Sequence, residues 1–125
     1  MIENKLKESR FIEQAIVIGE NQKFAAALIV PSFAFVKEWA TRKNISFASN
    51  DEIAQNKEVR IRIAEEIETV NKTLGNFETI KKFELLNREF AIEKNEMTPK
   101  LSLRRKFIME NFKEKVTRIY GEPEV

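Results

Sequence analysis

The stretch Glu13-Gln14-Ala15-Ile16-Val17-Ile18-Gly19-Glu20-Asn21-Gln22-Lys23-Phe24-Ala25-Ala26-Ala27-Leu28-Ile29-Val30-Pro31 decides the fold. Two runs of β-type composition flank Gly19-Glu20-Asn21-Gln22, which has the residues of a hairpin turn. The second run is apolar at almost every position, as expected of a central strand covered on both faces. Pro31-Ser32 stops it, and Ser32 stands where a side-chain cap would open a helix carrying Phe35, Val36 and Trp39. Phe33, Phe35 and Trp39 are read as core residues.

Upstream, Ile2 and Leu6 share one face of a short helix over residues 2–8, with Glu3 and Lys7 as an i,i+4 pair. Downstream, residues 44–50 are small and polar and read as a loop. Val59, Ile63, Ile67, Val70 and Leu74 form one helical face, with Asn56 as its cap and Gly75 placed to end it in the left-handed conformation. Ile80 to Leu86 alternates, with Phe83 and Leu85 on one side and Lys82 and Glu84 on the other, and is predicted to be a third strand. Residues 94–102 are irregular. A last helix is predicted from about Leu103 to Ile119, with Ile108, Phe112, Val116 and Ile119 as its buried stripe. The order predicts an α+β domain: a small antiparallel sheet of about three strands, including a hairpin, packed against helices. The 125 residues form a single domain, 1–125, without repeats or low-complexity segments.

Composition narrows the chemistry. The chain has no Cys and no His, which removes disulfides, thiol nucleophiles, Cys/His zinc sites and histidine acid–base catalysis. Net charge is +2, so bulk electrostatics demand neither nucleic acid nor an anionic membrane. No apolar run approaches a transmembrane length and the N-terminal residues lack a signal core; the expected location is the cytoplasm. The acidic pair Glu65-Glu66 lacks metal-ligand spacing and reads as surface.

The informative segment is Asn95-Glu96-Met97-Thr98-Pro99-Lys100-Leu101-Ser102-Leu103-Arg104-Arg105-Lys106-Phe107-Ile108. Thr-Pro followed by alternating Leu and basic residues, leading into an amphipathic helix, resembles the C-terminal motif of long-chain fatty-acid–CoA ligases, of the AMP-forming acyl-adenylating superfamily. Ile2-Glu3-Asn4-Lys5-Leu6-Lys7-Glu8-Ser9, Phe11 to Gly19, Ala27-Leu28-Ile29-Val30-Pro31, Ile80 to Leu86 and Ile119-Tyr120 resemble successive family segments in family order, across nearly the whole chain. The resemblance implies a mobile C-terminal lid that closes over ATP and fatty acid for acyl-adenylate formation, then rotates to build the site where the CoA thiol attacks. It also implies that the family's N-terminal adenylate-forming domain, which binds ATP with Mg and the fatty acid, is absent from these residues and is the lid's partner. On the same resemblance, Met1 is expected to stand just past the position of the family hinge. By itself the chain is expected to bind no cofactor and to form no acyl-CoA.

The same resemblance marks a lysine that meets the acyl carboxylate and ATP phosphate oxygens. Against the superfamily pattern Thr-Gly-Lys-Leu, that lysine is Lys100. Against the long-chain ligase pattern Thr-Pro-Thr-x-Lys-x-Lys-Arg, its position falls on Ser102, and Lys100 stands where threonine is usual. In an extended segment the two residues would project to one side. Ser102 also suits a cap for the last helix. Arg104, Arg105 and Lys106 are candidates for the CoA phosphates, which suit Arg forks; Lys113, Lys115 and Arg118 extend the cluster, and the ordinary reading is a solvated helix face. A nucleic-acid role is disfavoured because Glu110 and Glu114 interrupt the patch and no stacking platform accompanies it. The alternative to a ligase lid is a free-standing protein-interaction module of similar fold.

Overall fold

The computed structural model describes residues 2–19, 22, 24–75 and 79–121. Helix α1 (Ile2–Lys7) leads into β1 (Ile12–Ile18) and β2 (Ala25–Pro31). Then come α2 (Phe33–Thr41), α3 (Asn50–Gln55), α4 (Lys57–Asn71), β3 (Ile80–Leu85), a 3-10 turn at Ile92–Lys94, α5 (Arg105–Asn111) and α6 (Lys113–Tyr120). The strands form one sheet in the order β1-β2-β3. β1 and β2 are antiparallel, with Ala15 opposite Ile29 and Val17 opposite Ala27. Part of their expected turn, residues 20 and 21, lies outside the described residues; Gln22 N donates to Gly19 O at 3.0 Å.

The α+β class holds, but the sheet is mixed rather than antiparallel: β3 runs parallel to β2, pairing Ala27 with Phe83 and Ile29 with Leu85. A parallel neighbour needs a long crossover, and α2, α3 and α4 supply it.

The continuous apolar run of β2 has a direct cause. Ala27 and Ile29 enter a core with Leu6, Val36, Ile53, Val59, Ile63, Ile67 and Leu85. Ala26, Leu28 and Val30 enter a second core with Ile16, Leu86, Phe90, Ile108, Phe112 and Ile119. The sheet thus lies between α1–α4 on one face and α5–α6 on the other, and β2 is buried on both. Phe33, Phe35 and Trp39 pack at the margin of the first core, and Phe11 meets Phe35 and Trp39 edge-on with ring centroids 5.0 and 5.6 Å apart.

Local details both follow and depart from the sequence reading. Asn56 caps α4, its Oδ1 accepting from Val59 N at 3.0 Å. Ser32 occupies the N-cap of α2 without a side-chain capping bond; its carbonyl accepts from Val36 N instead. The expected loop at 44–50 ends on α3, capped by Ser49. Helix α4 ends at Asn71, before Gly75, which is not left-handed. Asn71, buried, closes the helix onto the sheet: its side chain donates to Ile80 O and accepts from Ile80 N, both at 2.9 Å. The predicted last helix is two helices, broken at Phe112 (φ −112°, ψ 33°), although its stripe of Ile108, Phe112, Val116 and Ile119 does pack on one core. Arg62 holds both Glu65 and Glu66, at 3.2 and 2.9 Å.

At the outer edge of β1, Val17 N donates to Glu3 Oε2 at 2.8 Å and Val17 O accepts from Arg105 Nε at 3.1 Å. Arg105 Nη2 in turn meets Glu3 Oε2 at 2.9 Å.

Candidate functional site

The segment around Lys100 is a small hairpin. Its stem pairs Met97 with Leu103, and below that Arg104 N donates to Glu96 O at 2.8 Å. Above it, Thr98 N donates to Ser102 O at 2.9 Å and Leu101 N to Thr98 O at 2.8 Å. Ser102 N reaches Thr98 Oγ1 at 3.2 Å. Thr98 to Leu101 is therefore a hydrogen-bonded β-turn with Pro99 at its second position, where the fixed proline φ is favoured. Leu101 follows in the left-handed region, φ 66°, completing a three-residue hairpin loop of turn plus bulge.

Lys100 occupies the third position of that turn and is exposed, with no hydrogen bond or ion pair among the described residues. Ser102 lies in the returning arm. The segment is not extended, so Lys100 and Ser102 do not share a side by strand alternation. Nor does Ser102 cap the last helix: Arg104 is at the N-cap of α5, which has no side-chain cap.

A leucine in the left-handed region costs about 1–2 kcal/mol, and Leu101 is 65% exposed, so little packing offsets the strain. Leu101→Gly is expected to raise the unfolding free energy by up to about 1 kcal/mol, because the relieved strain exceeds the ~0.5–1 kcal/mol of entropy that glycine adds to the unfolded chain. A lower midpoint in urea would mean that the leucine side chain stabilises the tip.

The base of the hairpin is fixed by a charge. Glu96 is fully buried. Its Oε1 and Oε2 each accept from the fork of Arg88 at 2.7 Å, Oε1 accepts from Ala91 N and Oε2 from Asn111 Nδ2, both at 2.9 Å. Burial pushes the carboxyl pKa up, but the bonds from Arg88, Asn111 and Ala91 outweigh it and hold the group below the ordinary value. The same bond raises Arg88 above its ordinary value. The Arg88 guanidinium also lies 4.6 Å from the Phe112 ring centroid. Beside it, Gln14 from β1 accepts from Phe90 N at 2.8 Å. Neither Arg88 nor Glu96 carries a sequence signal of function, although Glu96 lies within the Thr-Pro segment, since a buried carboxylate in a charged, polar stretch has no periodic signature.

The basic cluster is divided. Arg104 is exposed, its guanidinium 4.3 Å from the Phe107 ring, and Lys106 is exposed beside it. Arg105 is engaged by Glu3 and Val17, as described above, so its fork is not free for a phosphate without releasing them. Arg118 lies 3.9 Å from Glu84, which Arg60 also meets at 3.2 Å. Tyr120, near the end of α6, places its hydroxyl 2.8 Å from Phe24 O, to which it donates, and burial pushes its pKa up. Chemically, the site offers one unpaired ammonium on an anchored turn and two nearby cations, suited to oxygen anions rather than to proton transfer. Among the described residues no group of three acidic side chains comes together as a metal site, and no helix is long and apolar enough to cross a membrane.

A family model described as the AMP-binding enzyme C-terminal domain matches residues 1–124. The chain is 27% identical over 123 residues to a long-chain-fatty-acid–CoA ligase, FadD15, of Mycobacterium tuberculosis, covering 98% of this chain and 20% of that protein. It is 28% identical over 123 residues to the human long-chain-fatty-acid–CoA ligase 1, covering 96% of this chain and 18% of that ligase. It thus spans about one fifth of the length of these curated relatives. Among solved structures, the adenylation domain of a carboxylate reductase from Mycobacterium chelonae shares the fold, with a TM-score of 0.73 at 18% identity over 97% of this chain and 17% of that one.

Proposed function

Because the chain belongs to the AMP-binding enzyme C-terminal domain family, we propose that it is the lid of a fatty-acid–CoA ligase and that Lys100 is its catalytic lysine. The partner is an adenylate-forming domain that binds ATP, with its Mg, and the fatty acid. In the first step a carboxylate oxygen of the acid attacks the α-phosphorus of ATP. The bond to the β-phosphate oxygen breaks, and pyrophosphate leaves. Negative charge shifts onto oxygens during this exchange, and an ammonium held at those oxygens in a water-poor cleft stabilises it more than water does. In the second step the lid turns, the CoA thiol gives up its proton to solvent as its sulfur bonds to the acyl carbon, and the bond from that carbon to the phosphate oxygen breaks, releasing AMP. Arg104 and Lys106 are proposed contacts for the CoA phosphates; Arg105 joins them only by giving up Glu3.

The observation that supports this reading best is an exposed, unpartnered ammonium on a turn whose base is locked by hydrogen bonds. Such a turn holds the lysine's backbone in place and leaves its side chain free to reach an anion. Of the two registers, this favours Lys100 over Ser102.

The test joins the chain to its adenylate-forming domain and measures fatty-acid-dependent pyrophosphate release. Lys100→Ala is expected to lower it about 10²–10³-fold, while Ser102→Ala stays near wild type. An unchanged rate in Lys100→Ala would remove Lys100 from the mechanism.

A further inference from the structure

We propose that Glu96, together with Arg88 and Asn111, is a positioning clamp that fixes the Lys100 hairpin on the sheet, an inference that rests on the lid reading above. Four hydrogen bonds of 2.7–2.9 Å converge on one fully buried carboxylate. They come from Arg88 before the hairpin, Ala91 in the loop and Asn111 at the end of α5. The backbone of the same residue closes the stem, Glu96 O accepting from Arg104 N and Glu96 N donating to Ala91 O at 3.1 Å. The chain therefore leaves for the turn and returns from it at a single anchored residue. For stability alone, well-packed apolar residues in place of the whole Arg88–Glu96 pair often serve as well, because desolvating a buried ion pair offsets much of its attraction. What a bidentate fork adds is direction. A turn only a few residues long transmits the orientation of its base to its tip, and a misplacement of about 1 Å at a reacting centre is worth up to about 10²-fold in rate. Glu96 lies below the tip and does not touch the substrate; it acts through Lys100.

Two mild variants test this in the two-domain enzyme. Arg88→Lys keeps the charge and loses the fork, and Asn111→Ala removes the bond to Glu96 Oε2 together with the one to Lys94 O at 3.1 Å. Hydrogen exchange is followed in peptides covering 97–103 and 25–31, alongside the kinetics of pyrophosphate release. The expected result is exchange at least about 10-fold faster in the hairpin with β2 unchanged. The kcat of adenylate formation falls about 10-fold while the KM values for ATP and fatty acid hold, the signature of a misplaced rather than missing group. Hairpin exchange that rises no more than in β2 overturns the clamp. So does a normal adenylation kcat in a protein where Lys100→Ala is inactive. If Lys100→Ala is itself fully active, the lid reading fails instead, and the exchange data alone then decide whether the clamp orders the hairpin.

Discussion

Arg88→Met should lower the unfolding free energy by about 3 kcal/mol at pH 7, and the deficit should shrink as the solution is acidified. Removing one partner of a buried ion pair costs about 3–5 kcal/mol, because the remaining charge is stranded. Arg88 is one-third exposed whereas Glu96 is not exposed at all, so solvent near the guanidinium places the expected loss at the lower end. The pH dependence follows from the depressed carboxyl. A group whose folded pKa lies below its unfolded value, roughly 4.3 for Glu, contributes stability above that value. The contribution disappears as pH falls through the folded pKa. In wild type, acidification therefore withdraws the benefit of the Arg88–Glu96 contact. In Arg88→Met there is no such contact to lose, so the two proteins converge. Urea denaturation at neutral pH and again below pH 4 checks this. A deficit under about 1 kcal/mol, or one that is constant with pH, would show that the pair does not hold the domain together.

The second large effect lies on the opposite face of the sheet. Ile63 sits at the centre of the inner stripe of α4 with no exposed surface, in one core with Leu6, Ile29, Val59, Ile67 and Leu85. Ile63→Ala should cost about 2–5 kcal/mol, the transfer of the lost methyl groups plus the cavity they leave. Ile61, two residues away on the same helix, is 52% exposed, and Ile61→Ala should stay within roughly 0.5 kcal/mol of wild type. Thermal or urea unfolding of the pair measures the contrast. Equal losses would mean that α4 does not present the face described here.

These two residues mark what the sequence made legible. The 4, 4, 3 spacing from Val59 through Ile63 and Ile67 to Val70 exposes the buried face of α4 directly, because burial on a helix repeats with its turn. The unbroken apolar run of β2 exposes its two-sided burial in the same way. Strand direction has no such signature: alternation across Ile80–Leu85 assigns faces but is the same for a parallel and an antiparallel neighbour. Only the long helical crossover before β3 carries the distinction. The break at Phe112 was hidden because Ile108, Phe112 and Val116 keep a helical spacing through it, and a kink of one residue leaves the stripe intact. At the candidate site, the Thr-Pro motif draws attention to Lys100 as a candidate. The turn that presents it was not, since a leucine occupies the left-handed position where glycine would announce the loop. The Arg88–Glu96 pair was invisible for a simpler reason: burial of a charge depends on long-range packing, here on Phe112 and Asn111 from beyond the hairpin.

The small knot at Val17 has a consequence for association. β1 is an outer strand, and an outer strand offers its free amides and carbonyls to any other strand that approaches. At Val17 both groups are already taken, the N–H by the Glu3 carboxylate and the carbonyl by the Arg105 guanidinium. Two side chains of opposite charge imitate the donor and acceptor of a fourth strand, yet present no backbone to which a fifth could add. Bound together as an ion pair, they also set charge and bulk across the route by which a second sheet would dock. At Val17, therefore, the edge offers neither a free donor nor a free acceptor to an approaching strand.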